Sequence, residues 1–269
     1  MSPTHYASIT TADTRIRVGA RSHVGLVRQL NEDSFVAEGY VYAVADGMGG
    51  HAAGEVASQI AVLTLRDLGG NHPLRPDDIV DNIRESNRRI LKSAGSRPET
   101  EGMGTTMAGV TVVRTVGADH WCGFNGGDSR VYRLLGNRMS QVTHDHSEVR
   151  ELIDAGLITV DEAKKHPLRN VITRSLGTDP GPTPDVWVFP PCPGERFLIC
   201  SDGLSNEVTD RDIMVTLREH DDPQAAADEL VELALKAGGR DNVTVVVVAV
   251  DTDQDDDDDG DTAPRAHLS

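Results

Sequence analysis

Several acidic residues in this sequence adjoin apolar runs that are typical of β-strands. Four aspartates each mark the end of such a run: Asp46 after YVYAVA, Asp128 after WCGFNGG, Asp202 after RFLICS, and Asp241 before NVTVVVVAV. Glu32 and Asp33 form a further acidic pair at the start of another run. Asp-Gly is a common turn dipeptide, so any one of these acids alone is better explained as a turn residue.

The set as a whole indicates metal chemistry if the strand ends meet at one edge. Clustered carboxylates raise one another's pKa unless a cation neutralises them, and the motifs themselves offer only Arg28 and Arg240. Carboxylate and carbonyl oxygens suit Mg²⁺ or Mn²⁺, and Gly47 would let a backbone carbonyl approach an ion closely. Two ions about 3.5–4 Å apart activate a bridging water for attack at phosphorus. Hydrolysis of phosphate esters is therefore the leading chemistry.

Other uses of the glycine-rich stretch DGMGGHAAGE, residues 46–55, do not fit its composition. A phosphate-binding Walker loop ends in Gly-Lys-Ser/Thr, and the dinucleotide fingerprint needs a Gly-x-Gly-x-x-Gly spacing that these glycines do not have. The sequence also lacks the GxSxG elbow of a nucleophilic serine.

Hydrophobic periodicity predicts the elements that must position these acids. Strands are expected in RIRVGARS, in the hairpin DSFVAEGYVYAVAD with its turn at Glu38-Gly39 and its end at Asp46, through residues 104–142, and in DVWVF, RFLICSD and NVTVVVVAVD. Helical spacing is found before Gly69, from Pro76 to Ala94, in two short pieces meeting at Gly156, and in 210–219 and 223–237. Helix pairs between runs of consecutive strands predict an α+β fold, a central β-sandwich of two antiparallel sheets covered by helices.

Composition limits the function classes. The 269 residues carry a formal net charge of −17, which disfavours binding to nucleic acid or to an anionic membrane. We expect a cytoplasmic monomer with a loose N-terminus (1–14), one folded domain (15–251) and a disordered acidic tail (252–269). Cys122, Cys192 and Cys200 are widely spaced, so reduced thiols in or near the core are expected.

Beyond these patterns, the chain resembles the metal-dependent protein phosphatases of the type 2C class, in their bacterial branch. The resemblance runs in order through eight segments: VGLVRQLNEDSF, YAVADGMGGHAAGEVAS, GMGTTMAGV, FNGGDSRVYRL, VTHDHSEVRELIDAGLI, HPLRNVITRSLG, CSDGLSNEVTD and GGRDNVTVVVV. It implies the four-layer αββα form of the sandwich, with two Mn²⁺ or Mg²⁺ ions and a possible third at one end.

The resemblance also implies a role for each position. Asp46 would bridge the two metals, with the carbonyl of Gly47 on one of them and Asp202 and Asp241 on the other. Glu32 and Asp33 would act mostly through metal-bound waters. Asp128 would hold the third, weaker ion together with Asp202.

Three further assignments concern the substrate. Arg28 would hold the phosphate through its planar fork of donors, and the segment from about 147 to 174 would form a flap that shapes access. Family members with a histidine directly after Asp-Gly use it as general acid, but here Met48 takes that place and His51 follows three residues later. His51 is either the general acid or a surface histidine at a helix start, and Arg240 either lies near the phosphate or faces solvent.

The expected function is hydrolysis of phosphoserine and phosphothreonine in proteins by a metal-activated water, in signal transduction opposite bacterial Ser/Thr kinases. Phosphorylated proteins are the expected partners, and such kinases are further candidates. Two alternatives stay open: a two-metal phosphoesterase acting on non-protein esters, and a phosphoprotein-binding signalling module with little turnover.

Overall fold

The structure, a computed structural model, describes residues 5–9, 14–49, 53–69, 73–96 and 98–251. Its strands are β1 His5–Ile9, β2 Thr14–His23, β3 Asp33–Glu38, β4 Val41–Met48, β5 Gly104–Thr105, β6 Met107–Thr115, β7 Ala118–Gly126, β8 Arg130–Leu135, β9 Arg138–Gln141, β10 Asp185–Phe189, β11 Arg196–Cys200 and β12 Val243–Val250. Its helices are α1 Ala53–Gly69, α2 Pro76–Ala94, α3 Glu148–Asp154, α4 Val160–Ala163, α5 Asp202–Ser205, α6 Asp210–Glu219 and α7 Pro223–Ala237.

The strands form two sheets in which neighbouring strands run antiparallel, as predicted. The first sheet has the order β1-β2-β12-β11-β8-β9, and the second has the order β10-β7-β6-β4-β3 with β5 paired to the end of β4. The chain passes from the second sheet to the first between β7 and β8, so the turn at 127–129 lies where the two sheets meet.

Three apolar cores separate the layers and confirm the four-layer αββα sandwich. Between the sheets, Trp121 packs on Phe197 with ring centroids 4.8 Å apart, and Val246 is fully buried beside them. A second core joins α1 and α2 to the outer face of the second sheet, and a third joins α6 and α7 to the outer face of the first.

The helix boundaries follow from residues that stop or start a helix. Proline occupies the first turn of α2 and of α7, where its missing N–H costs nothing. The Asp222 carboxylate accepts hydrogen bonds from the first two N–H groups after Pro223, and Thr209 accepts one from Asp212 at the start of α6. The predicted ends of these three helices are confirmed.

Part of the N-terminal segment forms a strand. Residues His5–Ile9 form β1 and pair with Thr14–Val18 of β2. The division of the chain into a loose N-terminus, one domain and an acidic tail stays a prediction. The pairing is carried by backbone hydrogen bonds at a free edge of β2, which side-chain periodicity does not reveal. The acidic tail after Asp251 lies outside the described residues.

Two boundaries near the acids and the turn of the first hairpin also differ from the sequence-based expectation. Strand β4 continues past Asp46 to Met48 because Gly47 and Met48 pair with β5. The strand in RFLICSD ends at Cys200, and Asp202 instead begins the short helix α5. The turn of the first hairpin consists of Gly39 and Tyr40, one residue later than predicted.

The positions of the cysteines agree with the sequence-based expectation. Cys122 and Cys200 are buried thiols, Cys192 is half-buried, and all three are unpaired. Within the described ranges, every helix is too short or too polar to cross a membrane.

Val246→Ala should test the core between the sheets. Val246 is 0% exposed, so removing two methyl groups should lower the free energy of unfolding by about 1.5–3 kcal/mol. Val188→Ala, at a β10 position that is 42% exposed, is the matched control and should change it by less than about 0.5 kcal/mol. Urea denaturation measures both, and equal losses would contradict the assignment of this core.

Candidate metal centre

The predicted acids meet at one end of the sandwich, where both sheets contribute. Asp33 and Asp46 lie directly opposite each other on β3 and β4 of the second sheet. Asp202 follows β11 and Asp241 precedes β12, and these two strands belong to the first sheet. Asp128 lies in the turn that joins the sheets. Antiparallel neighbours bring one strand's start beside the next strand's end, which explains why residues so distant in sequence converge.

Burial and mutual repulsion dominate the electrostatics of this group. Burial, followed by the charges of Asp33, Asp202, Asp128 and Asp241, raises the pKa of Asp46 well above its ordinary value. Burial also raises the pKa of Asp33 to about 7, that of Asp128 to about 8 and that of Asp202 to about 6, and a neighbouring aspartate adds to each of these shifts. The positive charge near the cluster therefore does not offset its negative charge.

The donor set fits a hard divalent cation. Oδ1 of Asp33 and Oδ1 of Asp128 are buried without a hydrogen-bond partner among the described residues, and the carboxyl groups of Asp46 and Asp202 are near enough to shift each other's pKa. A cation ligated by oxygen would satisfy these atoms and lower the raised pKa values. No three acidic, His or Cys side chains in the described part of the chain stand at metal-ligating geometry, so the carboxylates would have to turn toward an ion.

Hydroxyl groups from the first sheet hold Asp33, although it belongs to the second. Ser201 Oγ donates to Asp33 Oδ2 at 2.8 Å, and the Thr244 side chain also bonds this carboxyl group. The Thr244 hydroxyl lies 2.7 Å from that of Ser22, and the Thr244 N–H donates to Ser201 Oγ. Side chains of β2, β12 and the β11–α5 junction thus join the two sheets at the acids.

Two threonines fix the backbone at Asp46. Thr106 N–H and Thr105 Oγ1 both donate to the Asp46 carbonyl at 2.9 Å, and Asp46 N–H donates to Thr106 Oγ1 at 3.0 Å. Thr106 Oγ1 lies 2.8 Å from Ser129 Oγ in the turn that carries Asp128. The segments that carry Asp46 and Asp128 are therefore connected.

Gly47 is required for packing, in addition to its predicted role as a ligand. A Cβ at this position would lie 2.2 Å from the carbonyl oxygen of Gly54 and 2.5 Å from that of Glu32. The start of α1 therefore rests directly on β4. The Glu32 carboxylate accepts a hydrogen bond from Gly54 N–H at 3.2 Å, which places a negative charge at the positive end of α1.

Arg28 lies beside the acids, and its role in holding a phosphate stays a prediction. Its Nη2 donates to Asp241 Oδ2 at 2.8 Å, and the side chain is 54% exposed. The hydrogen bond and the charge of Asp241, with smaller contributions from Asp46 and Glu32, raise the pKa of Arg28.

Arg240 does not share this position. Its guanidinium binds both carboxylate oxygens of the buried Glu207, at 2.7 and 2.9 Å. Of the two alternatives, contact with a phosphate or a position facing solvent, the structure shows the second, because the Arg240 side chain is 71% exposed while it pairs with Glu207. His51 lies outside the described residues.

Sequence reasoning missed Asn242, which holds the loop that carries Arg28. Its Nδ2 donates to the carbonyls of Val24 and Leu30, both at 2.9 Å, and its Oδ1 accepts from Glu32 N–H at 2.8 Å. One side chain thus ties both ends of the loop to the strand that follows Asp241. The signal available in the sequence was a polar residue placed directly before the valine-rich run of β12.

The four-layer sandwich with carboxylates at one end defines a class of α+β proteins with a candidate metal centre. The sequence pattern of Protein phosphatase 2C matches residues 21–233. The serine/threonine phosphatase stp of Listeria welshimeri is 36% identical over 237 residues, which are 84% of this chain and 92% of that protein. The chain belongs to the Protein phosphatase 2C family.

The serine/threonine protein phosphatase PstP of Mycobacterium tuberculosis is 42% identical over 238 residues, 86% of this chain. The match spans only 44% of PstP, so this chain covers less than half the length of that relative. A crystal structure of M. tuberculosis PstP/Ppp has a TM-score of 0.80 at 40% identity and covers 88% of this chain and 99% of its own. The PstP catalytic domain in complex with 2 manganese ions has a TM-score of 0.81 at 38% identity, covering 89% of this chain and 100% of its own.

The stability of the metal-free protein should depend on pH. Because the pKa values of Asp33 and Asp128 are raised to about 7 and about 8 in the folded state, that state binds more protons than the unfolded chain between about pH 4 and 8. The free energy of unfolding should therefore fall as pH rises through this window. Urea denaturation in EDTA at pH 5.5, 7 and 8.5 measures it.

Asp33→Asn should make this fall in the free energy of unfolding smaller. The difference in the fall between pH 5.5 and 8.5 should be on the order of 1 kcal/mol. Asp81→Asn, at an α2 carboxylate that is exposed, is the control and should leave the slope unchanged. A wild-type stability that is flat or rises with pH would show that the acids are not buried together.

Asn242→Asp should loosen the Arg28 loop. The change removes both N–H donors and sets a carboxylate against two carbonyl oxygens, so it should cost about 2–4 kcal/mol of stability. It should also speed exchange of the Leu26 amide, which donates to the Gly239 carbonyl. The matched control is Asn137→Asp in the exposed β8–β9 turn. If both variants have equal stability and Leu26 exchange, the proposed role of Asn242 is wrong.

Proposed function

We propose that this chain is a metal-dependent phosphatase that hydrolyses phosphoserine and phosphothreonine in proteins. The observation that carries the proposal is the set of buried, mutually repelling carboxylates with Arg28 beside them, at the end of a sandwich of the Protein phosphatase 2C family. The names of PstP and stp as serine/threonine phosphatases support this activity.

Asp46, Asp202 and Asp241 would hold two Mn²⁺ or Mg²⁺ ions, with the Gly47 carbonyl, Glu32 and Asp33 in support and a possible third ion at Asp128. The manganese ions in the PstP catalytic domain support this cofactor. Bound there, the ions would supply an activated water and neutralise charge that develops on the phosphoryl group.

The chain's own side chains would orient the substrate. Arg28 is fixed at one Nη atom by Asp241 and is half exposed, so its planar fork can meet phosphoryl oxygens next to the acids. The hydrogen bonds from Asn242 to the loop that carries Arg28 keep that fork in place. His51 is the candidate general acid that would protonate the leaving serine or threonine oxygen.

Exposed apolar side chains next to Arg28 in sequence and in the flap favour a protein substrate over a small ester. Leu26 and Val27 next to Arg28 are each 65% exposed, and Leu157 and Val160 in the flap, residues 147–174, are also exposed. Such residues can contact the chain around a phosphorylated side chain. We infer that the substrates are phosphoproteins made by Ser/Thr kinases in cytoplasmic signal transduction.

Asp46→Asn should abolish turnover without unfolding the protein. Removing the central carboxylate should lower kcat on a phosphothreonine peptide by at least about 100-fold, and EDTA should have the same effect on the wild type, reversed by added Mn²⁺. Asp81→Asn is the matched surface control and should retain wild-type kcat. Full activity of Asp46→Asn, or of the wild type in EDTA, would rule out the metal-dependent mechanism.

The same assay separates the two alternatives. Comparable kcat/KM values on a phosphothreonine peptide, a nucleotide monophosphate and an aryl phosphate would favour a general phosphoesterase. Tight binding of the phosphopeptide without release of phosphate would favour a binding module. The proposal predicts a clear preference for the peptide.

A further inference from the structure

His146 is a buried histidine whose contacts are outside the acidic cluster. Its side chain is 4% exposed. Nδ1 accepts a hydrogen bond from Gly127 N–H at 3.1 Å, so the ring proton is on Nε2, which lies 3.0 Å from Asp185 Oδ2. One ring thus connects the β7–β8 turn to the first residue of β10.

The backbone of His146 joins the two ends of the flap to the same turn. His146 N–H donates to the Gly127 carbonyl at 2.9 Å, and the His146 carbonyl accepts from Thr173 N–H at 2.9 Å. Ser147 forms a β-bridge with Ile172 just beyond. The flap therefore leaves and rejoins the domain at His146.

The exit of the flap is also tied to the partner of the His146 ring. Arg174 Nη1 donates to Asp185 Oδ1 at 3.0 Å, and His146 Nε2 donates to the other oxygen of the same carboxylate. His146, Asp185 and Arg174 therefore form a chain from the turn to the end of the flap.

The turn that His146 binds carries Asp128. Gly127 has φ +147, and a Cβ there would lie 2.5 Å from the Thr106 side chain, so the turn packs against the segment that fixes Asp46. Asn125 Nδ2 donates to the Gly127 carbonyl and to the His144 carbonyl. Both backbone polar groups of Gly127 are therefore bonded. Its carbonyl accepts from Asn125, and its N–H donates to the His146 imidazole.

We propose that His146 is a positioning residue that fixes the Gly127–Asp128 turn and anchors both ends of the flap to it. Cation binding at Asp128 and the placement of the flap over the substrate then depend on one side chain. The part of this proposal that concerns cation binding rests on the proposed function of the acidic cluster. The part that concerns the turn and the flap rests on the hydrogen bonds alone.

Two substitutions separate the two ring contacts. In His146→Asn, the amide oxygen can take the place of Nδ1 and accept from Gly127 N–H, but the contact with Asp185 is lost. In His146→Gln, the amide nitrogen can take the place of Nε2 and donate to Asp185, but the contact with Gly127 is lost. Both variants replace a buried ring with an amide, so each is the control for the other.

The first measurement is hydrogen exchange of the Gly127 amide by NMR in the metal-free full-length protein. The Gly127 amide should exchange about tenfold faster in His146→Gln than in His146→Asn, because one hydrogen bond is lost in the former. The Thr173 amide should exchange faster in His146→Asn, in which Asp185 keeps Arg174 but loses its contact with residue 146. Asp185→Asn, which keeps the His146 ring, should leave Gly127 exchange at the wild-type rate.

The second measurement is calorimetric titration with Mn²⁺, with Asp128→Asn as the reference. His146→Gln should lose the same Mn²⁺ binding that Asp128→Asn loses, whereas His146→Asn should retain it. The double variant Asp128→Asn/His146→Gln should bind no less Mn²⁺ than either single variant. Melting temperatures of the two His146 variants should fall by similar amounts.

Equal exchange rates of the Gly127 amide in the Asn and Gln variants would overturn the proposal. It would also be overturned if the loss of Mn²⁺ binding in the two variants correlated with their melting temperatures and not with which ring contact each variant keeps. If even the wild type binds no Mn²⁺, the proposed function of the acidic cluster fails, while the exchange experiment still decides the role of His146 in the turn.

Discussion

The fold of this protein is organised around the repulsion between buried carboxylates. Asp33, Asp46, Asp128 and Asp202 all have raised pKa values because each is buried beside others of the same charge. Such an arrangement is unfavourable for the isolated chain and must be supported by the rest of the structure. At this end of the sandwich, the same acids that would bind a cation lower the stability of the metal-free fold.

The support comes from both sheets. The core around Trp121, Phe197 and Val246 holds the sheets face to face, so the strand ends that carry the acids have little freedom. Hydroxyl groups from the first sheet then bind Asp33 of the second. Asn242 secures the Arg28 loop, and His146 secures the turn before Asp128. The contacts to Asp33 and to the turn before Asp128 keep carboxylates in place that mutual repulsion alone would displace.

Local signals in the sequence predicted much of this structure. Prolines and capping residues set the ends of α2, α6 and α7, and the apolar runs located the long strands. The acids were found because each adjoins such a run, and antiparallel pairing made their convergence a reasonable expectation.

The missed features depend on partners far away in sequence. Strand β1 exists through backbone pairing with β2, and β4 extends to Met48 because β5, more than fifty residues later, pairs with it. Asn242 binds residues of the β2–β3 loop, and the fork of Arg240 is occupied by Glu207. None of these contacts leaves a periodic pattern in the local sequence, so only the folded chain reveals them.

The account is tested most directly by anomalous diffraction at the manganese edge from crystals of this protein grown with Mn²⁺. Our account predicts at least two anomalous peaks within ligand distance of Asp46, one of them shared with Asp202 and Asp241. Anomalous peaks located elsewhere would contradict it. The absence of any anomalous peak beside these acids at saturating Mn²⁺ would contradict it as well.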